Sequence, residues 1–391
     1  VYKRFVNGVE FAKKGVILVS INYRLGKLGF LAHPDLSAES TNNVSGNYGY
    51  LDQLEALKWV QENIASFGGD PDNVTIFGNS AGGTSVATLC ASPLSKGLFH
   101  KAIMQSPWMF GGGSKKAVPN IARLRDSLSF LPSAERLGSV WVQTFVNEGE
   151  DVLKKLRSLD VDQIINEGSF QTKTTIDGWF LHDYPEAVFS RGNQMDIPII
   201  IGSNSEEGNY YLRGVRSKTQ DEFTERITDF YQDAAADISG FYPFNSEEEA
   251  KIVIGQYITD AWFLEPADHL VQEMEKVTSS AYQYEFVVPW LENPTLGAVH
   301  ASEIQYVYNQ LSSEASEEDH KVGEAMISYW TQFAKTGNPN QPGLPRWEAF
   351  TKDQKNYLEI GKTIAPKIGL LNGASTRIRE EKVRAYERGK P

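Results

Sequence analysis

The chain of 391 residues is acidic, with 50 Asp and Glu against 38 Lys and Arg and a formal charge of −12. That balance argues against a sequence-independent hold on nucleic acid or on an anionic membrane surface, and no apolar run reaches the length of a membrane span. A hydrophobic content of 41% and a charged content of 23% are ordinary for a globular chain, and the length suits one large α/β domain or two to three small ones. Cys90 is the single cysteine, so no disulfide closes within the chain, and its position after a small-residue helix start predicts a buried, inert thiol. The sequence opens on Val1 without a visible signal peptide.

Gly15–Ile21 is a short apolar, β-branched run that predicts a buried parallel strand, with Asn22–Gly26 turning out of it. Leu51, Leu54, Leu57, Val60 and Ile64 recur at spacings of three and four, and Gly68-Gly69-Asp70-Pro71 stops the helix they predict. A strand follows at Val74–Phe77, then Gly78-Asn79-Ser80-Ala81-Gly82, then a helix that begins in small residues, then a strand at Lys101–Met104. Residues 107–175 lose the alternation and read as a mostly helical insertion containing Gly111-Gly112-Gly113. The sheet resumes at Ile197–Ile201, a second helical stretch covers 221–274, and a strand at Ala281–Val287 leads toward His300. Helices at Lys321–Lys335 and Ser375–Arg388 close the chain. Strands alternating with helices predict a mostly parallel sheet covered on both faces, in one α/β domain over 1–391.

Gly78–Gly82 has the form of a nucleophile elbow. A serine on a sharp strand-to-helix turn needs small residues two before and two after it, because the backbone there is crowded. The pentapeptide alone says little, since about 0.2 matches arise by chance in a chain of this glycine content. The strand before it and the helix after it make Ser80 a candidate nucleophile.

From this point the residues resemble the type-B carboxylesterase family, the cholinesterase-like branch of the α/β-hydrolases. Asn22-Tyr23-Arg24-Leu25-Gly26 resembles its N-Y-R-L-G turn, and Phe67 to Gly83 resembles its long signature almost position for position. Asp177-Gly178, Pro198 to Gly208, Gly297-Ala298-Val299-His300 and Tyr329 to Asn340 follow in the family's order. The resemblance implies an α/β-hydrolase fold and a serine carboxylic-ester hydrolase working through an acyl-enzyme. The implied triad is Ser80, Glu207 and His300, in the chain order nucleophile, acid, base.

Glu206 then reads as a solvated neighbour of the acid. Ser106 matches a serine that bonds the acid from behind, or is a turn-capping serine. Tyr210 and Tyr211 fall where the family places aromatic walls of the substrate gorge, and Trp108, Met109 and Phe110 on its acyl side; core packing is the alternative for both groups. Asn79 stands where the family commonly has glutamate, which implies a pocket less suited to cationic esters.

The family's oxyanion hole uses the backbone N–H after the nucleophile, here Ala81, and N–H groups of an upstream H-G-G-G type loop. No such loop precedes Ser80, which implies an N-terminally incomplete form of a longer esterase. No metal or organic cofactor is implied, and the partner is a small-molecule ester substrate. Alternative readings are a lipase, amidase or polyester-type hydrolase of the same fold, or a non-catalytic binding relative. Of two glycosylation-type triplets, Asn43-Val44-Ser45 falls in a loop, while Asn73-Val74-Thr75 abuts a core strand.

Overall fold

The structure, a computed structural model, describes residues 7–109, 121–127, 132–168 and 174–388. The strands among the described residues are β1 (Thr75–Asn79), β2 (Lys101–Gln105), β3 (Ile121–Arg123), β4 (Thr174–Ile176), β5 (Ile199–Asn204), β6 (Ala281–Phe286), β7 (Asn356–Ile360) and β8 (Ile364–Ile368). Six of them form one sheet in the order β1-β2-β5-β6-β7-β8, parallel throughout except for the final β7–β8 hairpin. β3 and β4 make a separate two-stranded parallel sheet.

Side-chain alternation in β5 shows why this sheet is central. Ile199 and Ile201 enter one apolar cluster and Ile200 enters the other, and all three are at most 1% exposed. A strand apolar on both faces is stable only between two layers of helix. The helices Tyr48–Asn63 and Ala81–Ala91 supply Tyr50, Leu54, Val86 and Leu89 to the first cluster. The helix Glu317–Thr336 supplies Val322, Met326, Ile327 and Trp330 to the second. No described helix is long and apolar enough to cross a membrane.

The run at 15–21 is not a strand. It takes no place in the sheet, and no backbone hydrogen bond joins residues 17–23 to another described residue. Ile17, Val19 and Ile21 stay 40–45% exposed. β1 is an edge strand, half-buried along its whole length. A cavity of about 560 Å3 lies along the run and is lined by Ile17, Val19 and Ile21 on one side and by Val74, Ile76 and Phe77 on the other. β propensity describes how a residue fits a paired, half-buried surface, and without a paired neighbour the same residues remain coil.

The other predicted strands and helices are present, mostly with ends shifted by one to four residues. The β7–β8 hairpin and the β3–β4 pair were not predicted. Gly111-Gly112-Gly113 and Phe110 lie outside the described residues.

The turn out of β1 depends on two close approaches. A Cβ on Gly78 would lie 2.6 Å from the Gly82 carbonyl carbon, and one on Gly83 would lie 2.5 Å from the Gln105 carbonyl oxygen. A Cβ on Gly82 itself meets nothing within 4 Å. Gly83→Ala is therefore expected to lose about 1–3 kcal/mol of stability by forcing backbone apart. Gly82→Ala should lose none, and urea unfolding of the two variants side by side reads the difference.

Candidate active site

The site lies at the C-terminal ends of β1, β2 and β5, where the register aligns Asn79 with Gln105 and Gln105 with Gly202. Each of these strands ends in a turn carrying a polar side chain. Ser80 follows β1, Ser106 follows β2, and Glu207 follows β5 by three residues. The Ser80 N–H donates to the Gln105 carbonyl (2.9 Å) and the Ser106 N–H to the Gly202 carbonyl (2.8 Å). The turns are thus extensions of the sheet rather than loose loops.

Backbone strain gathers here. Ser80 has φ 58° and ψ −119°, Ser106 has φ 47°, and Ala301, next to His300, has φ 67°. Left-handed backbone is unfavourable for side chains of this kind, and it persists where surrounding bonds over-determine it. Ser80 is left half-buried at the head of the helix Ala81–Ala91, and Ala81 is exposed.

Glu207 is fully buried, at 0% exposed, and each of its oxygens is occupied. Oε1 accepts from the Ser106 hydroxyl (2.5 Å) and from the Asn204 N–H (2.8 Å), while Oε2 faces His300 Nδ1 at 2.5 Å. Ser106 therefore bonds Glu207, the expected acid, and does not cap a helix. Burial by itself would lower the His300 pKa. The Glu207 carboxylate outweighs it, and with Glu303 adding in the same sense the imidazole is held above its ordinary value. Among the described residues no hydrogen bond joins Ser80 Oγ to His300. The geometry joins Glu207 and His300 directly and holds Ser80 at the end of β1, which β2 separates from β5 in the sheet.

Glu206 departs from its expected role. Its Oε2 accepts the Ala298 N–H (2.8 Å) and the Ser205 hydroxyl (2.5 Å), and a Cβ on Gly297 would sit 2.8 Å from its carboxyl carbon. It is half-buried and anchors the loop that presents His300, so it is not a freely solvated neighbour.

Aromatic rings surround the imidazole. Phe263 lies 4.6 Å from the His300 ring centroid, Tyr211 5.6 Å and Tyr210 6.1 Å. Trp262 extends this wall from Tyr211 (5.4 Å) to Trp108 (5.6 Å). Tyr210 is 50% exposed, whereas Met109 belongs to the main core cluster. Trp262 and Phe263 escaped the sequence reading because they sit in a π-helical turn, Thr259–Leu264, inside the helical insertion, where no local pattern marks them.

Asn79 does not present a free amide to the site, since its Nδ2 donates to Glu303 Oε1 (2.7 Å). Glu303, Gln105 and Asn204 were also missed. A polar residue ending an otherwise apolar strand and a carboxylate three residues after His300 were the available signals. Cys90 is buried, and desolvation pushes its thiol far above the ordinary range. Among the described residues no group of three or more His, Cys, Asp or Glu could hold a metal ion.

The carboxylesterase family model matches residues 3–383. The chain belongs to the carboxylesterase family. Fumonisin B1 esterase of Sphingopyxis macrogoltabida is 32% identical over 94% of the chain and 67% of its own length. Cocaine esterase of Homo sapiens is 30% identical over 92% of the chain and 65% of its own length. The chain thus spans about two thirds of the length of these curated relatives. Among solved structures, PNB esterase superposes with a TM-score of 0.77 at 28% identity, covering 96% of this chain and 78% of that one. The fold is that of an α/β-hydrolase, and the chain is a carboxylesterase-family hydrolase.

Removing the Ser106 hydroxyl leaves Glu207 Oε1 with the Asn204 N–H alone. Ser106→Ala is expected to cost about 1–3 kcal/mol, the penalty for an under-satisfied buried carboxylate. The urea midpoint reads that loss.

Proposed function

We propose that the protein is a serine carboxylic-ester hydrolase working through a Ser80–His300–Glu207 triad and an acyl-enzyme. The observation that carries this reading is the buried Glu207–His300 pair, whose histidine loop is tied through Glu303 to Asn79, the residue before the strained Ser80 turn. His300 takes the Ser80 proton as Oγ attacks the ester carbonyl, then returns it to the leaving alcohol. Water repeats the cycle on the acyl-enzyme, with His300 again as base. Glu207, held by Ser106 and Asn204, keeps the Nδ1–H tautomer and steadies the imidazolium. Ala81, at the first helical position, offers its N–H to the developing oxyanion, where the positive end of the helix adds to the effect.

The half-exposed Tyr210 and the wall of Tyr211, Trp262 and Trp108 favour an apolar substrate group beside His300. An amide at position 79 carries no charge to attract a cation, which supports neutral esters as substrates. The names of the relatives include two esterases with very different substrates, so the acyl and alcohol partners are better found by a panel than by analogy.

Ser80→Ala is expected to lower turnover of a chromogenic ester roughly a million-fold and to abolish labelling by an organophosphonate probe. Glu207→Gln should cost about ten-thousand-fold in kcat by releasing the imidazole tautomer. Full activity in Ser80→Ala would defeat the mechanism. A marked preference for choline esters over neutral esters of equal size would defeat the substrate reading alone.

A further inference from the structure

The π turn Thr259–Leu264 leaves one carbonyl without a backbone donor. In an α-helix the Ala261 carbonyl would accept the Glu265 N–H, but here that N–H donates to the Asp260 carbonyl. The next N–H along would belong to residue 266, which is Pro266 and has none. Ala261 is 0% exposed, so bulk water does not reach its oxygen either. A buried carbonyl in this position needs a donor from outside its own helix.

Lys382 supplies that donor. It lies in the C-terminal helix Gly373–Arg388, and its Nζ donates to the Ala261 carbonyl (2.6 Å) and to Glu265 Oε2 (2.5 Å). Lys382 and Glu265 are both buried. Burial alone would raise the Glu265 pKa, but Lys382 and then Arg379 outweigh it and hold the carboxyl below its ordinary value. Two further contacts tie the same helix down: Arg379 bonds Asp268 (2.6 Å), and Asn372, just before the helix, donates to Asp260 Oδ2 (3.3 Å). On its other side the π turn is joined to the acid, since Thr259 Oγ1 accepts the N–H of Gly208, the residue after Glu207 (2.9 Å). Between these ties stand Phe263, 4.6 Å from the His300 ring, and Trp262, 5.4 Å from Tyr211 and 5.6 Å from Trp108.

We propose that Lys382 is a positioning residue for substrate specificity: it caps the carbonyl that the π turn and Pro266 leave open, and so fixes the aromatic wall against which an acyl group beside His300 rests. This rests on the triad reading above. A buried carbonyl without a donor is unfavourable, so the turn has no reason to keep its form once the ammonium is gone. Phe263 and Trp262 then give way to larger acyl groups. The two acceptors of Lys382 separate this role from that of a plain ion pair. Glu265→Gln removes the carboxylate charge and keeps the lysine on Ala261, whereas Lys382→Met removes both contacts. Any variant that only weakens the fold changes how much enzyme is active, and that quantity cancels in a ratio of kcat/KM values for two esters.

The measurements are the kcat/KM ratio for p-nitrophenyl benzoate over p-nitrophenyl acetate and the amide hydrogen exchange of residues 259–264. Lys382→Met is expected to raise the ratio about fivefold or more and to speed exchange in that segment. Glu265→Gln should lower the urea midpoint while leaving the ratio and the exchange near wild type. If Lys382→Met does not fold, Lys382→Met with Glu265→Met leaves no unpaired charge behind and gives the same two readings. A wild-type ratio or wild-type exchange in the folded lysine variant overturns the proposal, as does a Glu265→Gln that moves both as far as Lys382→Met. Ser80→Ala as active as wild type would instead overturn the triad reading, and exchange at 259–264 then still decides whether Lys382 holds the turn.

Discussion

Two carboxylates buried side by side, Glu207 and Glu303, are the constraint from which the rest of the site follows. Both are fully excluded from solvent, and burial together with the Glu207 charge pushes Glu303 upward in pKa. An isolated buried carboxylate is too costly to keep ionised, so it needs fixed N–H and O–H donors or a cation. The fold meets the need with donors: Ser106, two groups of Asn204, Asn79 and Gln105, all from the ends of parallel strands. Among the described residues, the one group acting on them that can become a cation is His300. The protein thus spends its polar strand ends on holding negative charge around a base.

The sheet makes that arrangement possible. Parallel strands in register bring their C-terminal ends to one edge, and ligand sites of open α/β sheets gather there. Apolar strand bodies anchor these ends from both faces, so polar residues can project from them without loosening the core. Strained backbone at Ser80, Ser106 and Ala301 is tolerable because each lies against this fixed edge.

The strand bodies and the strand-to-helix turn at Ser80 were legible because each is a local pattern. Periodicity marks the helices and unbroken β-branched runs mark the central strands; of the two glycines read as relieving the crowded elbow, Gly78 makes a close approach and Gly82 does not, and Gly83 makes the second one instead. What could not be read depends on pairing in space. Gly15–Ile21 has every local attribute of a strand and forms none, because strand structure belongs to the pair. Trp262 and Phe263 sit in a helical insertion whose π turn leaves no pattern in the sequence, and only the folded arrangement brings Phe263 to His300 and Trp262 to Tyr211. Glu206 shows the opposite error: beside a catalytic candidate it looked idle, while its carboxylate fastens the loop of the base.

Asn79 gains a physical explanation from the same pair of acids. Read alone, it is the loss of a charge at a position where related sequences commonly carry glutamate. In the structure its amide is a donor 2.7 Å from Glu303. A carboxylate there would be a third acid in the cluster, and two carboxylates at that distance cannot both ionise. They would share a proton, and the negative charge behind His300 would then depend on the titration of the pair. An amide avoids this coupling, since it donates to Glu303 at every pH and leaves the ionisation of the site to Glu303, Glu207 and the imidazole. Asn79, the residue before the proposed nucleophile, therefore bears first on the charge of the buried acids.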